Sequence, residues 1–222
     1  MSPWDYAKNR DYDTAVCAQF LAALPVTGAA VSVFSASLPE ACVCATDTLA
    51  AKLDEMQFDL GEGPRRDAVT TRAPVLLADV RNSSHERWPI YWQALLDTDV
   101  QSLFIFPLIV GALNVGVVEL YSRSPNPLSS RDQEIAVALA DRIAWSLLDR
   151  ILTLNARNMS PTDESSPLSR REIHQATGMV LVQLGLTATE ALLRMRAHAF
   201  ANDQSMRDVA REVVARTLVF TS

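Results

Sequence analysis

The chain has 222 residues, 49% hydrophobic and 21% charged, with a formal net charge of −6. That length buries a core and allows one large or two modest domains, while the acidic balance excludes a protein that coats nucleic acid indiscriminately. No apolar run approaches the roughly 20 residues that cross a bilayer and no basic-then-apolar leader opens the chain, so a cytoplasmic address without a membrane partner is expected.

Residues 1–11 show no periodicity. From Asp13, the spacing of Ala15, Val16, Phe20, Leu21 and Leu24 predicts a helix that Pro25 stops. Alternation and β-branching over 28–34 predict a strand, with 42–46 as its partner across a turn at Leu38, Pro39 and Glu40. A short helix over 48–56 carries Leu49 and Leu53. Its adjacent carboxylates Asp54 and Glu55 do not face each other. Gly61-Glu-Gly-Pro64 forces a tight turn, and Pro64 suits the first position of a helix over 65–72. The turn lacks a phosphate-cradling pattern. A strand at 75–78, a polar loop holding His85, and an aromatic segment over 88–92 follow.

Cys17, Cys42 and Cys44 are an odd set that cannot pair fully within one chain. Cys42 and Cys44, two apart in a strand, share a face. No second Cys/His cluster completes a metal or redox site, and the three thiols are expected reduced and packed.

Strands over 101–108 and 116–121, joined through Gly111 to Asn114, form an antiparallel hairpin. A long helix over 129–154 carries the stripe Ile135, Ala138, Leu139, Ile143, Leu147 and Ile151, with Trp145 and Leu148 apolar on another side. Two prolines and many small polar residues make 155–167 a linker. Three short helices close the chain. Ser169 with Glu172, Thr187 with Glu190, and Ser205 with Asp208 supply their caps. Their stripes run through Ile173, Thr177, Val180, Leu181 and Leu184, then Ala191, Leu192, Met195 and Ala199, then Met206, Val209, Ala210, Val213, Val214 and Thr217. Gly185 ends the first helix. Residues 167–222 hold seven arginines against five acids, a balance of +2 that leaves −8 for the rest. That asymmetry fits a nucleic-acid-facing end and, equally, arginines that solvate a helical surface.

Two resemblances cover most of the chain. Gln57-Phe-Asp-Leu-Gly-Glu-Gly-Pro64 with Asp67-Ala68, Arg87-Trp-Pro89, Ser102 with Phe106-Pro-Leu108, and Gly116-Val-Val-Glu-Leu-Tyr-Ser122 resemble a GAF domain, a six-stranded sensor module. This variant is common beside ANTAR in actinobacterial regulators. Relatives often carry Cys after Gly-Glu-Gly-Pro, where this chain has Arg65, so a redox role there does not carry over. Arg171-Glu-Ile-His-Gln-Ala176-Thr-Gly178-Met-Val-Leu, Leu184-Gly-Leu-Thr, Glu190-Ala-Leu-Leu-Arg-Met-Arg and Asp208-Val-Ala-Arg-Glu-Val-Val resemble the ANTAR domain, an RNA-binding module of bacterial antitermination regulators. The family usually has Lys where this chain has Thr177.

The resemblances imply an α+β fold, with an antiparallel-sheet GAF domain over 12–154, a linker over 155–167, and a three-helix ANTAR bundle over 168–222. They imply a homodimer that binds paired stem-loops of structured RNA in leader transcripts and receives a small-molecule or protein signal at the GAF half. Candidate RNA contacts are Arg170, Arg171, His174, Gln175, Arg194, Arg196, Arg207 and Arg211. Trp88, Tyr91, Trp92, Phe104 and Phe106 are candidates for an apolar ligand pocket, with plain core packing as the commoner use of such a cluster. His85, His174 and His198 lack metal-ligand spacing, and no Ser-centred elbow is present, so no catalytic residue, metal or cofactor is expected and the chain is not read as an enzyme. The alternatives are a DNA-binding regulator, since three helices also present a recognition helix, and a ligand-binding or dimerising protein that binds no nucleic acid.

Overall fold

In the computed structural model, which describes residues 15–35, 38–83, 86–156 and 170–221, period-two alternation sorts the strands of the first half into two faces. Strands β1 (Gly28–Ser35), β2 (Leu38–Ala45), β3 (Val75–Leu77), β4 (Ser102–Val110) and β5 (Leu113–Ser122) all pair antiparallel, in the order β2-β1-β5-β4-β3. Among the described residues the sheet therefore has five strands, where the resemblance implies six. Residues 38–40, expected as a turn, already belong to β2.

One face is apolar. Val31 and Val33 of β1, Phe104, Phe106 and Leu108 of β4, and Val118 and Leu120 of β5 bury against a helix, α1, described over 15–23, and against α5 (Ser130–Ala156). Helix α5 turns Ala136, Ala140, Ile143, Ala144, Leu147 and Ile151 inward. Ala138, expected on that stripe, is exposed, because the 3.6-residue period brings Ala140 and Ala144 to the sheet instead. A reciprocal cap opens α5: Ser129 Oγ accepts the Asp132 N–H and Asp132 Oδ2 accepts the Ser129 N–H, both at 3.1 Å. The helix runs on to Ala156, into the expected linker, and residues 157–167 lie outside the described ones.

The opposite face meets three shorter helices, α2 (Thr48–Leu60), α3 (Pro64–Thr71) and α4 (Pro89–Leu96). Asp47 caps α2 by accepting the Ala50 N–H at 2.8 Å, and its other oxygen accepts the Tyr121 hydroxyl at 2.9 Å. Pro64 takes the first position of α3 as its fixed φ favours.

Two expectations about the cysteines are corrected. Cys17 on α1 and Cys44 on β2 form a disulfide with Cα atoms 6.1 Å apart, and Cys42, buried, takes no part in it. Cys42 and Cys44 also do not share a face. Between Val31 and Ser32 the register with β2 shifts, so Cys44 pairs with Val31 while Cys42 pairs with Ser32. The extra residue of this bulge, Val43, breaks the alternation. Cys44 therefore points to the apolar core, and Cys42 sits on the side of Ser32.

The chain divides into two compact units, and the second is built on α6 (Arg171–Leu184), α7 (Ala188–Ala201) and α8 (Met206–Val214). Ile173, Ala176, Val180, Ala191, Met195, Ala199, Met206, Val209, Ala210 and Val213 make its core. The small residues among them let the helices approach closely. Thr187 and Glu190 close the expected capping box, and Ser205 accepts the Asp208 N–H at 3.1 Å. Gly185 ends α6 with φ of 65°. The cap expected from Ser169 lies outside the described residues. Helix α8 stops at Val214, so Thr217, placed on its stripe by spacing, is exposed beyond the helix.

Candidate functional site

Between the sheet and helices α2 to α4 lies a cluster of charge that sequence reading did not find. Arg65, the first residue after Pro64, is 6% exposed. Its guanidinium pairs with Asp54 of α2 and Glu40 of β2, and lies 3.9 Å from Glu119 of β5. Arg65 Nη2 also donates to the Asp54 carbonyl at 3.1 Å, and its backbone N–H donates to Gln57 Oε1 at 2.8 Å. Ser32 of β1 donates to Asp54, and the Tyr91 hydroxyl of α4 donates to Glu119 Oε1 at 3.4 Å. Gly63, at φ of 132°, makes this approach possible: a Cβ there would stand 2.6 Å from Gln57 Oε1.

The electrostatics follow from burial and neighbours. Burial opposes the charge of Arg65, but Asp54, Glu40 and Glu119 more than offset it and raise its pKa. Glu119 is pushed up to about 7, first by burial and further by Asp54, with Arg65 pulling the other way. Tyr91 is raised well above its ordinary value by burial, then by Glu119. Glu119 Oε2, Arg65 Nε and Gln57 Nε2 are buried without a hydrogen-bond partner. Such orphaned groups in low dielectric are costly, and the carboxyl relieves part of that cost by holding a proton near neutral pH. A visible signal did exist: Glu119 is the one charge inside an otherwise apolar run, Val117 to Leu120.

The glycine turn serves this face. Glu62 Oε1 accepts the N–H groups of Ile90 and Tyr91, each at 2.7 Å, and so caps α4. Asp67 of α3 accepts the Trp88 indole N–H at 3.1 Å and pairs with Arg87 at 3.0 Å. The expected single aromatic pocket is not formed. Trp88, Tyr91 and Trp92 are buried on the α4 side, with Tyr91 directed at Glu119, whereas Phe104 and Phe106 lie in the core under α1 and α5. The sheet separates the two groups.

In the three-helix unit the candidate RNA contacts are unevenly presented. Arg171, Gln175, Arg194 and Arg211 are exposed, His174, Arg196 and Arg207 half-buried, and Arg170 buried. Arg170 is thus set apart from the exposed cations it was grouped with. Arg211 pairs with Glu172 at 3.5 Å and Asp208 at 3.2 Å. Thr177 is buried and its hydroxyl donates to the Ile173 carbonyl at 2.7 Å, so this position faces the bundle and offers nothing to a phosphate. His198 packs edge-on against Phe220, and His85 lies outside the described residues. Among the described residues no group of three or more His, Cys, Asp and Glu is placed to hold a metal, and no single helix is long and apolar enough to cross a membrane.

A sheet covered on both faces by helices, with a buried polar cluster on one, followed by a capped three-helix unit, defines an α+β module joined to a small helical module. The chain belongs to the GAF domain family, whose model matches residues 14–147, and carries an ANTAR domain matched over residues 164–214. It is a GAF–ANTAR regulator. Similar solved structures include the GAF domain of a phosphoenolpyruvate-protein phosphotransferase from Coxiella burnetii, 17% identical with a TM-score of 0.50, covering 68% of this chain and 86% of that one. GAF3 of Slr1393 from Synechocystis, in its photoproduct state, is 12% identical with a TM-score of 0.51, covering 66% and 98%. The GAF region of a membrane protein from Geobacter sulfurreducens is 10% identical with a TM-score of 0.50, covering 64% and 94%. At these identities the likeness speaks for the fold alone. No curated protein is significantly similar to the chain in sequence.

Proposed function

We propose that this GAF–ANTAR regulator is a cytoplasmic transcription antitermination factor whose ANTAR bundle, over 168–222, binds paired stem-loops in leader transcripts. The ANTAR match carries the reading, and the exposed cations Arg171, Arg194 and Arg211 with Gln175 support it as phosphate and loop contacts. Phosphate contacts make affinity fall steeply with salt, and stem-loops are read by shape and by exposed loop bases. The GAF half, over 12–154, receives a small-molecule or protein signal on the face of α2, α3 and α4. It performs no catalysis and holds no resident cofactor. A signal acts only by binding one arrangement of the regulator more tightly than another.

Two stem-loops require two ANTAR bundles, which calls for a homodimer. Helix α5 offers the surface: Trp145 is 64% exposed and Leu152, seven residues on, 60%. A heptad-spaced apolar pair on a solvent face is how two helices meet. The full chain is therefore expected to bind a paired hairpin RNA more tightly than duplex DNA of matched length and salt. Arg171→Glu with Arg194→Glu weakens that binding and flattens its salt dependence. Preference for duplex DNA would instead establish the DNA-binding alternative, and affinity for neither would leave a dimerising sensor. Trp145→Glu is expected to shift sedimentation toward monomer and to weaken binding of paired hairpins more than single ones. A wild-type chain that is monomeric at high micromolar concentration refutes the dimer.

A further inference from the structure

The outward stripe of α6 is polar at its start and apolar further on. Arg171 and Gln175 are exposed one turn apart, and the same face continues through Gly178 and Met179 to Val182, which is 77% exposed. Beside it the C-terminal segment contributes Arg216 and Val219, and together with Gln175 and Gln183 these residues line an open groove of about 460 Å³. The lining holds two carboxamides and one arginine but no carboxylate. Gln183 is fixed in place because its Oε1 accepts the Phe220 N–H at 3.2 Å, and its amide group carries two donors of its own. Arg216, the residue after the cap of α8, has a left-handed φ of 61°, a common way for a helix to end.

Gly178 is the second observation. A glycine inside a helix is unfavourable relative to alanine, and here packing does not require it, since a Cβ at 178 would meet nothing within 4 Å. What the missing side chain does is keep the floor of the groove open. An apolar lining that also holds two carboxamides and a guanidinium matches a nucleobase attached to its phosphate. The ring stacks or packs on Met179, Val182 and Val219, its edge hydrogen-bonds to a carboxamide, and the backbone anion meets Arg216. The groove is also continuous, along one helix face, with Arg171 and Gln175.

We infer that this groove is a slot for a single unstacked base of the RNA loop. The inference rests on the RNA-binding reading and adds to it the place where a base, rather than the backbone, is recognised. The test takes the tightest-binding paired hairpin from a pool with randomised loops and replaces each loop nucleotide in turn by an abasic one. Gly178→Leu fills the floor and, with open space around its Cβ, is expected to leave the thermal midpoint no lower than that of the wild type. Val182→Glu, at an exposed position, places a carboxylate in the slot. Both are expected to weaken hairpin binding at least tenfold, Gly178→Leu with an unchanged salt slope, and Arg171→Glu to lower the slope instead. One abasic position is expected to cost the wild type a similar factor while costing Gly178→Leu nothing further. Wild-type affinity in both slot variants, or equal losses on every abasic RNA, overturns the slot and leaves the RNA reading standing. No affinity of the wild type for any hairpin in the pool overturns both. If the slot variants turn a dimer into a monomer and lose all RNAs alike, the groove joins two copies of the chain and the slot is refuted.

Discussion

Replacing Glu119 by glutamine separates the charge of the buried cluster from its shape. The carboxyl is 3% exposed, lies 3.9 Å from Arg65 and accepts from Tyr91 at 3.4 Å. Its pKa rises from an ordinary 4.5 to about 7 on folding. Between those values the folded chain holds a proton that the unfolded chain has released, so stability falls as pH rises through the window from 4.5 to 7 and levels off above it. A gap of about 2.5 in pH at about 1.36 kcal/mol each amounts to about 3 kcal/mol, full burial leaving little solvent to screen it. Glutamine keeps the acceptor for Tyr91 and carries no charge to desolvate. Glu119→Gln is therefore expected to match the wild type near pH 5 and to exceed it by about 3 kcal/mol at pH 8. Urea unfolding followed by tryptophan fluorescence suits the question, because Trp4, Trp88, Trp92 and Trp145 all precede the ANTAR helices and the signal reports the GAF half. If the two proteins keep parallel pH profiles from pH 5 to 8, Glu119 is already ionised in the fold and the desolvation argument is wrong.

The same assay reaches two further residues. Arg65→Met leaves Asp54, Glu40 and Glu119 together without their guanidinium, which is expected to cost about 3–5 kcal/mol. The loss should be smaller at pH 5 than at pH 8, and smaller again when combined with Glu119→Gln, because a neutral 119 needs less compensation. A loss independent of both pH and position 119 would mean the side chain only fills space. The Cys17–Cys44 disulfide spans 27 residues, for which the chain-entropy account gives about 3–4 kcal/mol. Reductant is expected to lower the wild-type urea midpoint to that of Cys17→Ala and to leave Cys17→Ala unchanged, whereas a wild type indifferent to reductant would show that the bond contributes nothing to stability.

Local interactions were readable from the chain itself. The box at Thr187, the cap at Ser205, Pro64 at the start of α3 and Gly185 at the end of α6 involve partners at most a few residues apart, and the chain order of residue types is enough to specify them. So were the two modules, whose signatures are runs of sequence. The polar cluster was not. Arg65, Asp54, Glu40, Glu119 and Ser32 come from five elements, and only the order β2-β1-β5 with α2 and α3 laid across it brings them together. Nor does alternation alone say which side of a sheet a residue faces. One extra residue at Val43 sent Cys42 and Cys44 to opposite sides, and put Cys44 within bonding reach of a helix that spacing could not orient. The expected aromatic pocket failed for the same reason, with Phe104 and Phe106 on one side of the sheet and Tyr91 on the other. Periodicity fixes which residues share a face only along an unbroken stretch of one element, and a bulge ends it. Which faces meet is decided by strand pairing and helix packing between distant parts of the chain, where no single stretch of sequence carries the information.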